Sequence, residues 1–136
     1  MNDFNTRVIT QFRTGGGRVG GWGDRLVLIH STGARTGLER VNPALSLRDG
    51  DDRLVVASAA GARARPAWYH NLRAHPDIMI ETPAGPAAVT ARELEGAEYD
   101  RAWHRFQAVS DSFARYRDSA GRPVPIFRLS PRPVAV

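Results

Sequence analysis

The chain has 136 residues, 42% hydrophobic and 24% charged, which is the size and make-up of one ordinary globular domain over residues 1–136 that can bury its own core. Cysteine is absent, which excludes disulfide frameworks, thiolate metal centres and cysteine nucleophiles and makes a cytoplasmic protein the natural expectation. Nineteen basic residues, every one an arginine, face 14 acidic ones for a net charge of +5; such lysine-free usage suits a GC-rich genome as well as it suits an anionic partner.

Phe4, Val8, Ile9 and Phe12 recur at helical spacing and the glycines Gly15, Gly16 and Gly17 end the segment, so a helix is predicted over residues 3–14. Its apolar stripe, flanked by Arg7 and Arg13, can pack over the rest of the domain or rest peripherally on an anionic membrane. No run approaches the ~20 apolar residues of a membrane span, and Asp3, Arg7 and Arg13 interrupt any signal-peptide core. The run Leu26 to His30 reads as a strand, and a second strand follows from about Leu38 to Leu47. Asp49-Gly50-Asp51-Asp52 is a hairpin signal leading into a strand from Arg53 to Ser58. Pro66 can open a short helix that His75-Pro76 stops. Ile78 to Glu81 and Ala87 to Ala91 are short strands about the turn Pro83 to Pro86. Residues 96–109 are predicted helical, Asp111 can cap a last helix carrying Phe113 and Tyr116, and Val124 to Leu129 closes the chain as a strand. About six mainly antiparallel strands with N-terminal, inserted and C-terminal helices make an α+β small barrel the expected fold.

Ser31-Thr32-Gly33-Ala34-Arg35-Thr36-Gly37 combines three hydroxyls, two glycines and a guanidinium, with Arg40 just beyond, which is the composition of an anion cradle or of a decorated hairpin turn. It is not a Walker loop, because the Lys-Ser/Thr pair is missing and Pro43 forbids the helix that should follow. Ala57-Ser58-Ala59-Ala60-Gly61 leaves its strand with small residues only, room for a flat ligand or for close packing. His30, His70, His75 and His104 form no metal pattern, so no metal is expected. Ser58 has no nucleophile elbow, and the arginines are interleaved with acids rather than aromatics, which argues against hydrolysis and against nucleic acid.

Taken in order, Ser31 to Gly37, Arg40-Val41-Asn42-Pro43, Val56-Ala57-Ser58 and Pro66-Ala67-Trp68-Tyr69-His70-Asn71-Leu72-Arg73-Ala74-His75-Pro76 resemble the deazaflavin-dependent nitroreductase and quinone reductase family. Tyr116 and Arg122 to Ile126 resemble its C-terminal signature. The resemblance implies a split β-barrel that binds coenzyme F-420, an 8-hydroxy-5-deazaflavin with an anionic phosphodiester and glutamate tail, and passes hydride from its reduced form to a quinone, a nitroaromatic or a similar planar electrophile. It places coenzyme contacts at Ala34, Arg35 and Thr36, at Arg40, Val41, Asn42, Pro43, Ala44 and Leu45, at Val56, Ala57, Ser58 and Ala59, and at Ala67, Trp68, Tyr69, His70 and Asn71. Tyr116, with Ser58, would face the reacting ring and the acceptor. Two departures stand out: Ala34 occupies one of two positions usually basic, and Ala59 a common lysine, so the anion grip would rest on Arg35 and Arg40 or draw on Arg63 and Arg65. The alternatives are an FMN-binding split-barrel oxidoreductase and a non-catalytic carrier of lipid or of the deazaflavin.

Overall fold

The structure is a computed structural model that describes residues 3–20, 23–57, 67–109, 115, 117–118, 121 and 123–133. Helix α1 (Asp3–Thr14) precedes strands β1 (Leu26–Thr32), β2 (Glu39–Asp49) and β3 (Asp52–Val56). Helix α2 (Ala67–Ala74) is followed by β4 (Asp77–Thr82), β5 (Gly85–Glu93), helix α3 (Gly96–Val109) and β6 (Ile126–Pro131). The six strands close into a barrel in the order β1-β2-β3-β6-β5-β4, every pairing antiparallel. The expected split-barrel architecture is therefore what the chain adopts.

Alternation along the strands divides the apolar residues between two cores. Val27, Ile29, Val55, Ile78, Ile80, Val89, Phe127 and Leu129 fill the barrel, and α2 seals one mouth with Trp68, Tyr69 and Leu72. Trp68 and Tyr69 meet Phe127 with ring centroids 6.1 and 5.7 Å away. On the outer face Leu26, Leu28, Leu45, Leu54, Val56 and Ile126 lie beneath Val8 and Phe12 of α1 and Trp103 and Phe106 of α3. Strand β1 is covered on both sides, which is why it reads as a continuous apolar run rather than an alternating one.

Helix α1 ends with Gly16 at φ 67° and with the Gly17 amide donating to the Phe12 carbonyl at 2.8 Å, a Schellman closure. A Cβ on Gly17 would sit 2.5 Å from Pro83 Cα in the β4–β5 turn. Glycine there lets the end of α1 press on the barrel. The helix's place is set by this contact and by Val8 and Phe12, both buried. Val8 and Phe12 of the apolar stripe therefore face inward against the barrel. Among the described residues no helix is long and apolar enough to cross a membrane.

Element ends shift for local reasons. Strand β2 starts at Glu39 rather than Leu38, whose carbonyl accepts from the Gly33 amide to close the loop. Strand β6 starts at Ile126 rather than Val124, whose carbonyl is taken by the Tyr99 hydroxyl at 2.6 Å. Strand β3 ends at Val56, and Ser58 lies outside the described residues, as do Phe113 and Tyr116 of the expected last helix.

Candidate functional site

One cleft of about 1080 Å³ opens where α1, the loop after β1, the start of β2 and the start of α2 converge. Its loop wall is set by hydrogen bonds that the sequence does not advertise. Asn71 is buried on α2, where its Nδ2 donates to the buried Ser31 hydroxyl at 3.0 Å and its Oδ1 accepts from the Ala34 amide at 2.9 Å. The Gly37 amide donates to the Gly33 carbonyl at 2.9 Å and the Leu38 amide to Thr36 Oγ1 at 3.2 Å. Among the described residues, the amides of Arg35 and Thr36 have no protein acceptor and the guanidinium groups of Arg35 and Arg40 have no acidic partner. Two amides and two guanidinium groups around one cleft supply the kind of donor set that an anion requires.

Of the residues expected to bind a coenzyme, Ala34, Arg35, Thr36, Arg40, Val41, Asn42, Ala67, His70 and Asn71 all line this cleft. Pro43, Ala44, Leu45, Val56, Ala57, Trp68 and Tyr69 do not. Ala44, Ala57, Trp68 and Tyr69 are committed to the barrel interior and Leu45 and Val56 to the core under the helices. Their side chains pack into the two cores and do not line this cleft. Ser58, Ala59 and Tyr116 fall outside the described residues, as do Arg63 and Arg65.

Sequence reading missed one wall altogether. Asn5, Thr6 and Ile9 of α1 line the cleft, and so does Glu39; the helical period of α1 is legible, but which polar residues of it face a distant loop is not. The wall is held by an ion-pair relay. Arg13 grips Glu81 with Nε at 3.2 Å from Oε1 and Nη2 at 2.7 Å from Oε2, and His30 Nε2 is 2.6 Å from the same Oε2. The Arg13 fork, with help from His30, holds the Glu81 carboxyl below the usual carboxylate range against a smaller opposing effect of burial.

Comparisons with known proteins identify the family. A sequence profile described as F-420H(2)-dependent quinone reductase matches residues 4–131. The chain belongs to the F-420H(2)-dependent quinone reductase family. An F-420H(2)-dependent quinone reductase of Mycobacterium tuberculosis is 36% identical over 112 residues, 78% of this chain and 73% of the relative. Among solved structures, an F-420-H2-dependent reductase (FDR-A) is 30% identical with a TM-score of 0.71, covering 78% of this chain and 94% of its own. Another, described as a domain-swapped dimer, is 27% identical with a TM-score of 0.73 over 94% of this chain and 98% of its own. As a member of this family the chain is an oxidoreductase whose hydride carrier is coenzyme F-420. The cleft fits that group: its anionic phosphodiester and tail match amides and arginines that have no protein partner among the described residues.

Proposed function

We propose that the protein reduces a quinone with F-420H2, binding the coenzyme's anionic portion in the cleft between α1 and the Gly33–Leu38 loop. The observation that carries this reading is the pair of cleft arginines, Arg35 and Arg40, which meet no carboxylate among the described residues, in a family named for an anionic coenzyme. The coenzyme supplies the hydride when bound. The chain's part is to position, to exclude water and to steady charge, which accounts for a site that needs neither cysteine nor a serine–histidine pair.

Each residue's part follows from its place. Arg35 and Arg40 donate to the phosphodiester and tail. The Arg35 and Thr36 amides, held in line because Asn71 fixes Ala34 and Ser31, donate alongside them. Ala67 and His70 form the floor of the cleft on α2. The remaining coenzyme contacts in our reading, Ser58 and Ala59, offer small side chains and backbone to the flat ring. A quinone that accepts a hydride becomes a hydroquinone anion, and one proton completes the product. We assign the donor toward that oxygen to Tyr116, since a donor aimed where charge develops favours the transition state over the ground state. Tyr116→Phe should lower kcat with menadione by roughly 10- to 1,000-fold with little change in coenzyme affinity; wild-type turnover in that variant removes the assignment.

The deciding experiment is a binding titration with oxidised coenzyme F-420 beside FMN, followed by steady-state reduction of menadione by F-420H2. Saturable binding of the deazaflavin and turnover of the quinone are expected. Preference for FMN would make the protein a flavin enzyme, and binding without turnover would make it a carrier.

A further inference from the structure

Glu39 is the one carboxylate that lines the cleft among the described residues, and it does so next in sequence to Arg40. A free acid at an anion site is costly twice over: it repels the ligand and it can pair with the arginines meant for that ligand. The structure shows what restrains it. In the β1–β2 ladder Thr32 opposes Glu39 and His30 opposes Val41. His30 and Glu39 are therefore diagonal neighbours on one face of the sheet, within reach of long side chains. His30 Nδ1 lies 3.3 Å from Glu39 Oε1. The ring is fixed from its other side, where Nε2 meets Glu81 at 2.6 Å and Glu81 is held in turn by the Arg13 fork. The imidazole is thus anchored to β4 and α1 through one nitrogen and presents the second to Glu39 in the cleft.

Resting on the coenzyme reading above, we infer that His30 is a positioning residue for coenzyme binding: it holds the Glu39 carboxylate along the strand face and so keeps Arg35 and Arg40 open to the anionic ligand. Its role in packing alone would not need the second nitrogen at Glu39, whose side chain is 69% exposed. Loss of the ring frees Glu39 to pair with Arg40 or Arg35 and to face the incoming anion. Exposed ion pairs and like charges at such range change an equilibrium by about 1.4- to fivefold.

The test is a double-mutant cycle read as the dissociation constant of oxidised coenzyme F-420, with menadione kinetics at saturating coenzyme alongside. His30→Ala should raise the dissociation constant about two- to fivefold while kcat at saturation stays at the wild-type value. His30→Ala combined with Glu39→Gln should return it to that of Glu39→Gln alone, because the acid that His30 restrains is gone. Glu81→Gln, which loosens the ring's anchor while leaving His30 in place, should give a smaller weakening that Glu39→Gln also relieves, and it keeps the test open should His30→Ala fold poorly. A double variant as weak as His30→Ala, or additive effects throughout, overturns the inference while wild-type binding upholds the coenzyme reading. A wild type that binds no deazaflavin overturns both.

Discussion

Two groups of arginines on this barrel have opposite surroundings. Arg128 on β6 has Nη2 2.8 Å from Asp49, Nη1 2.9 Å from Asp52 and Nε 2.9 Å from Glu98, with its side chain 17% exposed. Burial disfavours its charge, yet the hydrogen bonds to Asp49, Asp52 and Glu98 outweigh burial and raise its pKa above the ordinary arginine value. Arg92 forks onto Glu98 and Arg105 reaches Asp49, so the same carboxylates tie β2, β3, β5 and α3 to β6. Arg35 and Arg40 meet no acid among the described residues. A guanidinium whose donors are already taken holds the fold together; Arg35 and Arg40 keep theirs free among the described residues, as the proposed anion site requires.

The sharpest way to break that contrast is at its saturated end. Arg128→Met leaves three carboxylates facing one another around a position that is mostly buried, and removing one partner of such a cluster costs about 3 kcal/mol. The melting temperature should fall by about 10 °C for a chain of this size, while the dissociation constant for oxidised coenzyme F-420 in the folded protein stays unchanged. A loss of coenzyme affinity equal to the loss of stability would mean that the two regions are not separate.

At the open end the signs reverse. Arg35→Ala and Arg40→Ala should each weaken coenzyme binding by about 1.5–3 kcal/mol, the worth of a hydrogen bond to a charged group, with melting temperatures unmoved. Raising salt from low to physiological strength should weaken wild-type coenzyme binding, since the cleft arginines are exposed. Titration by fluorescence at two ionic strengths reads both effects, and unchanged dissociation constants would reduce the loop to a turn.

Asn71→Ala joins the two kinds of behaviour. It leaves the Ser31 hydroxyl buried without its donor and releases the Ala34 amide, so stability should fall by about 1–2 kcal/mol. Coenzyme binding should weaken at the same time, because the Arg35 and Thr36 amides lose the anchor that orients them. Denaturant melts and coenzyme titrations on the one variant separate it from a purely structural asparagine, which would move the first and not the second.

The contrast also marks what was legible in the sequence. Strands, hairpins and the sealing helix were readable because their signals are local: β-branched runs, the Asp-Gly turn with Gly50 at φ 63°, and Pro66 ahead of α2. The loop's donors were readable from its composition, and the coenzyme of the family from the resemblance. The Arg128 cluster was not readable, because Asp49, Asp52 and Glu98 come from separate elements and nothing local distinguishes a clamped arginine from a free one. The same blindness hides which way Trp68 and Tyr69 point. Helical period shows that they share a helix with His70 and Asn71, but the barrel alone decides which face of α2 turns inward. Asn5, Thr6 and Ile9 became cleft residues only through the docking of α1, which depends on Gly17 meeting Pro83 and on Arg13 reaching Glu81.

The smallest expected effect is a pH dependence confined to the saturated end. Hydrogen bonds from Arg92 and then from Arg128, against a lesser effect of burial, hold the Glu98 carboxyl at about 2 instead of its ordinary 4.5. A carboxyl whose pKa is depressed in the folded state binds its proton more readily when unfolded. Its contribution to stability is therefore complete above about pH 4.5 and is lost as the pH falls toward 2. Arginine keeps its charge throughout that range, so the carboxylate is the partner that titrates. The urea midpoint of the wild type should decline more steeply between these pH values than that of Glu98→Gln, whose amide cannot titrate. Because Glu98 lies near the surface, the difference between the two curves should shrink as salt is added. Parallel curves at low salt would show that the cluster's stability rests on Asp49 and Asp52, and that Arg92 contributes nothing to holding α3 against the barrel.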